Sequence, residues 1–160
     1  MFREMRRKKQ LIPMEQAEAI LRKRTSGVFI VNGDDGYPYG VPISYIYHDK
    51  KIYMHSAKSG HKIDAILNNN KASFTVIDKD DVIPTEFTTY FRSVICFGKA
   101  RIIDDDSEKL ESLKLLTRKY SPNLEKEMNE EIRSGFKALT MIVLEIEHIT
   151  GKQSIKLMEN

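Results

Sequence analysis

The feature that most constrains this sequence is a series of short apolar runs that are separated by turn residues instead of long helices. The run "GVFIVN" (27–32) is followed by "GDDG" (33–36) and then by "YPYGVPISYIYH" (37–48). Because Asp and Gly tolerate the positive φ angles of tight turns, this pattern predicts two strands joined as a hairpin. Strands that follow one another through turns favour an antiparallel, barrel-like sheet over an array of βαβ units.

Four further apolar runs extend this pattern along the chain. They are "IYMHS" (52–56), "ASFTVI" (72–77), "SVICFGKARII" (93–103) and "LTMIVLEIEHI" (139–149). Gly98, inside the third of these runs, indicates a β-bulge. With the two strands of the hairpin, the sequence predicts about six strands in one sheet.

Three segments with helical spacing of apolar residues lie between the strands. They are residues 13–24, the stretch that follows Ser59, and residues 104–120, which open with acidic residues that suit a helix N-terminus. The 160 residues contain no low-complexity linker. We therefore expect a single domain over residues 1–160, mainly β with peripheral helices.

Several motifs that define common functional sites are missing from the sequence. Neither G-x-G-x-x-G nor G-x-x-x-x-G-K-[ST] occurs, so a Rossmann or P-loop nucleotide site is unsupported. The serine-hydrolase motif G-x-S-x-G is also missing. Since no pair of cysteines and no H-x-x-x-H spacing is present, no metal site is expected.

The charge pattern and the cysteine count indicate the cellular compartment and the kinds of binding partner. Residues 3–9 hold five basic side chains and one acid but lead into no apolar signal segment. This basic head could bind nucleic acid, but a solvated arm, or one that reaches an anion on a partner subunit, is favoured. No apolar run approaches the roughly 20 residues that span a bilayer. With Cys96 as the only cysteine, we expect a cytoplasmic protein that binds neither nucleic acid nor membrane.

The stretch "HSAKSGHK" (55–62) concentrates polar chemistry between a predicted strand and a predicted helix. A helix that begins near Ser59 would direct free N–H groups and the positive end of its dipole at an anion, and Lys62 would add a charge. This corner suits a phosphate. The alternative is that Ser59 only caps the helix and Lys62 is solvated.

Two other stretches are compatible with a ligand or with ordinary structure. In "PYGVPISY" (38–45), small and prolyl residues would let a flat ligand lie against the backbone, although an edge strand explains them equally. The stretch "EFTTYFRSV" (86–94) places hydroxyl groups, aromatic rings and an arginine ahead of a buried strand. It could line a pocket or cover a dimer contact.

Taken together and in order, these motifs resemble the flavin-binding split β-barrel superfamily, which includes pyridoxamine 5′-phosphate oxidase. Within it, the sequence is most similar to the nitroimidazole-resistance (nitroimidazole reductase) branch. The resemblance covers nearly the whole chain. It rests on "MFREMRRK", "GYPYGVPISYIY", "IYMHSAKSGHKIDAI", "ASFTVI", "FTTYFRSVICFGKA", "KY" near residue 120 and "ITGK".

The resemblance implies a homodimer of six-stranded antiparallel Greek-key split barrels with FMN, or FAD, at the interface. The isoalloxazine would lie along "YGVPISY", and the strand end "HS" would flank the ribityl chain and phosphate. Basic side chains after it would hold the phosphate, and polar residues of "YFRSV" would reach the flavin from the partner subunit. The implied cofactor-binding residues are Val41, Pro42, Ile43, Ser44, His55, Ser56, His61, Lys62, Tyr90 and Ser93.

Departures from the oxidase pattern narrow the expected activity. The chain has no tryptophan, ends nine residues after Gly151, and has His61 where the oxidase has arginine. These differences predict that vitamin B6 oxidation is not its activity. The branch instead implies a flavin-dependent oxidoreductase that passes electrons from NAD(P)H or another donor to a small acceptor such as a nitroimidazole. His61 would be catalytic, or would only contact the phosphate. The alternative is a non-enzymatic flavin, haem or deazaflavin binding protein of the same fold.

Overall fold

The structure is a computed structural model that describes residues 1–159. Seven antiparallel strands form one sheet in the order β2-β1-β5-β6-β7-β4-β3. The strands are β1 Ser26–Asn32, β2 Pro38–Ser44, β3 Ile46–His48, β4 Lys51–Ala57, β5 Lys71–Ile83, β6 Thr88–Ile102 and β7 Leu139–Gln153. The helices are α1 Met14–Lys23, α2 His61–Asn68, α3 Asp106–Tyr120, α4 Glu125–Gly135 and the short α5 Ile155–Met158.

The count of six strands is wrong because the predicted strand 37–48 is divided at Tyr45. Its first part, β2, pairs with β1, whereas its second part, β3, pairs with β4. The two parts therefore occupy opposite ends of the strand order, although they are joined through a single residue. That covalent link brings the two edges of the sheet together, as a split barrel requires.

The hydrophobic residues form two clusters because strands of the sheet are covered on both faces. Along β4, Ile52 and Met54 point into the cluster beneath α1 and α2, while Tyr53 between them joins the cluster beneath α3 and α4. This alternation follows from the two-residue period of a strand. Fully buried members of the first cluster include Phe29, Tyr45, Phe74 and Val76, and those of the second include Met141 and Val143.

The bulge predicted at Gly98 is confirmed. The register between β6 and β7 shifts between Phe97 and Gly98, and a Cβ atom at Gly98 would collide with the carbonyl oxygen of Glu145. Glycine is needed here because the partner backbone approaches too closely for any side chain.

The acidic opening of the third predicted helix also behaves as expected. The carboxylate of Asp105 caps α3 by accepting a hydrogen bond of 2.8 Å from the backbone N–H of Glu108. Among residues 1–159, no helix combines the length and the apolar character that crossing a bilayer demands. The same residues include no group of three His, Cys, Asp or Glu side chains arranged around a possible metal ion.

Candidate functional site

A gap in the sheet lies between β2 and the second half of β4. One edge of β2 pairs with β1, and its other edge pairs with no strand of the described residues. β3 covers β4 from Lys51 to Tyr53 and ends there, since Ile46 pairs with Tyr53. Within the described residues, the facing edges of β2 and of β4 beyond Tyr53 have no sheet partner. We call this gap the split; its walls are residues 41–44 and 54–57.

The split offers unpaired backbone groups to a ligand. Buried backbone N–H and C=O groups require partners, so two facing free edges form a surface that can hydrogen-bond a flat molecule along its length. The walls carry six of the sequence-predicted site residues. They are Val41, Pro42, Ile43 and Ser44 on β2, and His55 and Ser56 on β4.

The side chains on the walls point in different directions. Val41 and Ile43 pack against the first hydrophobic cluster, whereas Pro42 is exposed on the opposite face. Ser56 is buried and His55 is exposed. The side chains of these residues are thus divided between the two faces of the sheet, and the pairing leaves one edge of each wall without a strand partner within the described residues.

The closed end of the split is the Tyr45 junction, which the end of α3 holds in place. The Tyr120 hydroxyl accepts a hydrogen bond of 3.0 Å from the Tyr45 N–H and contacts the carbonyl oxygen of Thr25. The Lys119 ammonium donates to the carbonyl oxygens of Tyr45, at 3.1 Å, and of Arg24. We call Lys119 and Tyr120 the α3 clamp. The clamp satisfies backbone groups that the divided strand leaves without sheet partners.

Burial changes the protonation of groups at this junction. It lowers the pKa of the Lys119 ammonium to about 8, because a charged amine loses hydration there. Burial, reinforced by the nearby Tyr120, raises the pKa of the Tyr45 hydroxyl, which donates 2.8 Å to the Leu21 carbonyl. The Tyr45 phenol therefore stays protonated and anchors the strand division to α1.

The other end of the split is bounded by the start of α2. The N-cap is Gly60, with φ of 132° and no capping side chain, so the alternative in which Ser59 caps the helix is wrong. The His61 ring lies 4.1 Å from the Tyr39 ring of β2, measured between centroids. Its Nε2 atom is buried without a hydrogen bond, 3.8 Å from Asp34 Oδ2. The first turn of α2 therefore reaches across to the β2 wall.

The start of α2 keeps its anion-binding capacity. The first turn of a helix presents N–H groups without intrahelical partners and the positive end of the dipole. Lys62, half-buried in this turn, makes no ion pair or side-chain hydrogen bond within residues 1–159. A flavin phosphate fits this corner, whereas the buried Nε2 of His61 is directed towards Asp34 in the β1–β2 turn.

Two predicted residues lie away from the split of their own chain. Ser93 and Tyr90 are on β6, which is separated from β2 by β1 and β5. Three strand spacings amount to roughly 14 Å along the sheet. On the other side β7 separates β6 from β4, and Ser93 lies opposite Lys152 of β7 whereas His55 lies opposite Met141, far along the same strand. Tyr90 is engaged locally, donating 2.7 Å to the Glu86 carboxylate. A single chain therefore does not bring these two residues to the other eight.

The face that carries Ser93 is unusually apolar for an exposed surface. Ile95 and Phe97 share this face by strand alternation, and Ile77, opposite Ser93 on β5, is 62% exposed. Phe87, at the tip of the β5–β6 hairpin, is 97% exposed. Exposed apolar residues that share one face of a sheet, as Ile77, Ile95 and Phe97 do, are typical of interaction surfaces.

Sequence reasoning placed Tyr120 only in the apolar stripe of the third predicted helix and gave Lys119 no role, although "KY" contributed to the resemblance. The available signal was their position at the end of an amphipathic helix, where a cation favours the negative end of the dipole. Their contacts with Tyr45 depend on where the strand divides, which the sequence does not reveal. The residue that precedes the basic head contacts the sheet. Phe2 stacks on His148 of β7, with ring centroids 4.9 Å apart.

Comparison with known proteins adds a family match. Residues 13–153 match the family model described as pyridoxamine 5′-phosphate oxidase. A search of curated proteins found no match to this chain.

Three solved structures with the same fold have low sequence identity to this chain. A proposed 5-nitroimidazole antibiotic resistance protein from Bacteroides thetaiotaomicron is 22% identical, with a TM-score of 0.73 over 89% of this chain and 86% of the other. An FAD and haem binding protein from Mycobacterium smegmatis is 22% identical, with a TM-score of 0.78 over 92% and 74%. A flavocytochrome from Azotobacter vinelandii is 21% identical, with a TM-score of 0.77 over 94% and 72%. At these identities the likeness shows the fold.

Proposed function

Because this chain belongs to the pyridoxamine 5′-phosphate oxidase family of flavin-binding split barrels, we propose that it is a flavin-dependent oxidoreductase that reduces a small acceptor. The observation that carries this proposal is the split, since its free strand edges and the α2 N-terminus match the two chemical parts of a flavin, a flat ring and a phosphate. FMN is the proposed cofactor, and FAD would use the same corner for the phosphate that both share.

The chain would hold the flavin mainly through its backbone. The ring would lie against Val41–Ser44, whose free strand edge presents backbone carbonyl acceptors and N–H donors except at Pro42, which has no N–H. His55 and Ser56 would flank the ribityl chain. Lys62 and the first N–H groups of α2 would neutralise the phosphate.

The proposed assembly is a homodimer in which each partner completes the other's site. Ser93 lies on the exposed apolar face, three strands from β2 and two from β4, whereas alternation along β6 places Tyr90 on the opposite face. If a second copy covers that face, its Ser93 can approach the flavin without crossing the sheet. Burial of Ile77, Ile95 and Phe97 would stabilise the pairing.

A bound flavin supplies two-electron transfer between a nicotinamide and an acceptor. With a nitro compound, the overall reaction is NAD(P)H + H⁺ + R–NO₂ → NAD(P)⁺ + R–NO + H₂O. The acceptor takes two electrons and two protons and loses one oxygen as water. His61 is the proposed proton donor, and its Nε2 lies 3.8 Å from Asp34 Oδ2 without a hydrogen bond.

The proposal is tested by anaerobic reduction of the flavin-loaded protein. NADH or NADPH is added without oxygen while the visible spectrum is recorded, and a nitroimidazole is then added. We expect the flavin bands to bleach and the acceptor to restore them. Bands that bleach with dithionite but with neither nicotinamide, and are not restored by the acceptor, would indicate a flavin carrier instead. A Soret band in place of flavin bands would indicate a haem protein of the same fold.

The proton-donor role of His61 has its own test. His61→Gln should retain flavin and slow acceptor reduction by on the order of 10²-fold, because general acid catalysis contributes about that much. His48→Gln, at the exposed end of β3, is the matched control and should react like the wild type. If His61→Gln instead loses flavin while the loaded fraction turns over normally, His61 contacts the phosphate and moves no proton.

A further inference from the structure

A cavity of about 520 Å³ lies between the basic head and the C-terminal segment of the chain. The two segments meet here because Leu11 forms an antiparallel bridge with Lys152 and residues 8–10 contact α5. We call this space the head cavity. Its lining consists of four consecutive basic residues, a glutamine and an isoleucine: Arg6, Arg7, Lys8, Lys9, Gln10 and Ile155.

The head cavity is separate from the split of the same chain. The β4 wall of the split pairs with residues 139–142 at the start of β7, whereas the cavity adjoins the other end of this strand, at Lys152. At about 3.3 Å per residue, the two places are roughly 33 Å apart along the strand. A ligand in the head cavity is therefore not the flavin of the same chain.

The positive charge of the head cavity is largely uncompensated. Within residues 1–159, Arg6, Arg7 and Lys9 form no ion pair, and no carboxylate lines the cavity. Lys8 pairs with Glu4 at 2.9 Å, but these side chains are 74% and 82% exposed, so solvent screens the pair. The cavity therefore favours an anion that carries more than one negative charge.

A buried amide without a partner lines the same cavity. Gln10 is 7% exposed, and its side-chain oxygen is buried without a hydrogen bond. Since a rotation of the amide by 180° exchanges the oxygen and the nitrogen, this side chain can accept from a ligand or donate to it. Ser154, which precedes Ile155, is 6% exposed and has a second buried oxygen without a partner. Buried polar groups normally have partners, so the two side chains indicate a polar ligand.

The kind of anion follows from the basic side chains and from the volume. Two guanidinium groups and an ammonium match the three oxygens and the nearly double charge of a phosphate monoester better than the single charge of a carboxylate. A volume of about 520 Å³ lies in the range of small-molecule sites, roughly 300–1,000 Å³, and exceeds what inorganic phosphate alone needs.

We propose that the head cavity binds a phosphorylated small molecule, with Arg6, Arg7 and Lys9 around the phosphate and the Gln10 amide on a polar group beside it. The proposal does not depend on a flavin in the split. A free phosphate ester and the adenosine phosphate of a dinucleotide share this chemistry, and the experiments separate the two sources.

The head cavity is tested with two ligands that differ only in the phosphate. AMP and adenosine are titrated by calorimetry at about pH 7.5, where the phosphate is dianionic, with saturating FMN so that the α2 corner is occupied. We expect AMP to bind about tenfold more tightly than adenosine. Ribose 5-phosphate is titrated in parallel, to detect a cavity that takes the phosphate but not the base. Failure of both phosphate esters to bind, or adenosine binding as tightly as AMP, would overturn the proposal.

A double variant locates the bound phosphate. Arg6→Gln with Arg7→Gln should weaken AMP binding about tenfold or more, because it removes two charge-assisted contacts from exposed positions. Lys126→Gln with Arg133→Gln removes two exposed charges from α4 and should bind AMP like the wild type. Equal losses in the two double variants would mean that AMP responds only to net charge, and the head cavity would not be its site.

The same arginine double variant distinguishes the sources of the phosphate. Weaker binding of FAD or NADPH, with FMN binding unchanged, assigns the cavity to the adenosine phosphate of that dinucleotide. Unchanged binding of both dinucleotides assigns it to a free phosphate ester. Weaker binding of FMN would overturn the proposal, because the basic head would then hold the flavin phosphate of a partner subunit.

The role of Gln10 is tested by an apolar replacement of similar length. Gln10→Met should weaken AMP binding about fivefold and should not lower the urea midpoint of the ligand-free protein, because the buried amide has no hydrogen bond to lose. A lower midpoint with unchanged AMP binding would show that the amide belongs to the fold and not to the site.

Nucleic acid is the other anion that a run of basic residues can bind. A short single-stranded oligonucleotide is therefore titrated at two salt concentrations. We expect it to bind no more tightly than AMP. Much tighter binding that falls steeply with salt would overturn the proposal and indicate a nucleic-acid surface.

Discussion

At the scale of single residues, His61 and Lys62 are neighbours in sequence but have different surroundings. His61 packs its ring against Tyr39 and lies near Asp34, so its side chain is directed towards the β1–β2 turn. Lys62 has no such partner within residues 1–159. Of the two basic side chains, Lys62 is therefore the stronger candidate for the phosphate, and His61 is the stronger candidate for a role that needs a held orientation.

We predict that Lys62→Ala weakens flavin binding by about tenfold, or about 1.4 kcal/mol, because it removes a charge-assisted contact to the phosphate. The dissociation constant is measured by quenching of FMN fluorescence. Lys58→Ala removes an exposed lysine from the loop that precedes α2 and should leave the dissociation constant unchanged. Equal effects of the two substitutions would mean that Lys62 acts only through long-range charge.

The identity of these residues could be predicted from the sequence, but their arrangement could not. "SGHK" between a strand and a helix is a local pattern, so the anion-binding corner follows from it directly. The cap at Gly60 in place of Ser59, and the contact of His61 with Tyr39, depend on how α2 meets β2. Such tertiary contacts leave no trace in a single sequence.

At the scale of elements, the division at Tyr45 creates the site. Seven of the twelve residues from Tyr37 to His48 are aromatic or β-branched and are spread along the whole stretch, so the pattern predicts one long strand. The strand is divided by its pairing, because the first half pairs with β1 and the second half pairs with β4. The sequence pattern did not predict α4, because Met128 and Ile132 are the only buried residues of this helix and two residues make a weak apolar stripe.

We predict that Tyr120→Phe destabilises the protein by about 1–3 kcal/mol, because the Tyr45 N–H loses its acceptor at the strand division. The free energy of unfolding is measured by urea titration. Tyr37→Phe is the matched control, since Tyr37 is exposed and its hydroxyl makes no hydrogen bond within the described residues. An unchanged free energy in Tyr120→Phe would show that the α3 clamp does not hold the junction.

At the scale of the whole molecule, the half-buried Lys119 couples stability to pH. Its pKa is lowered to about 8, whereas a lysine in an unfolded chain titrates near about 10.4. Between these values the unfolded state binds more protons than the folded state, so this residue makes stability rise with pH. Cys96 acts in the opposite direction, because burial raises the pKa of its thiol to about 12. The contribution of Lys119 is therefore obtained from the difference in the free energy of unfolding between the wild type and a variant without this lysine.

We predict that the wild type gains stability relative to Lys119→Met as the pH rises from about 8 to about 10, and that the difference is constant below about pH 7. Urea unfolding at several pH values measures this difference. Lys137 is an exposed lysine beyond α4, and the free energy of unfolding of Lys137→Met should change with pH as that of the wild type does over the same range. Parallel curves for Lys119→Met as well would show that Lys119 titrates normally.

The central claim of this account is that the split binds one flavin per chain. The most direct measurement is a titration of FMN into the purified protein, followed by fluorescence quenching and by absorbance in the flavin bands. The account predicts saturation at one FMN per chain with a dissociation constant on the order of micromolar or tighter. A protein that neither carries nor takes up flavin would contradict it, and the free edges of β2 and β4 would then need a different partner.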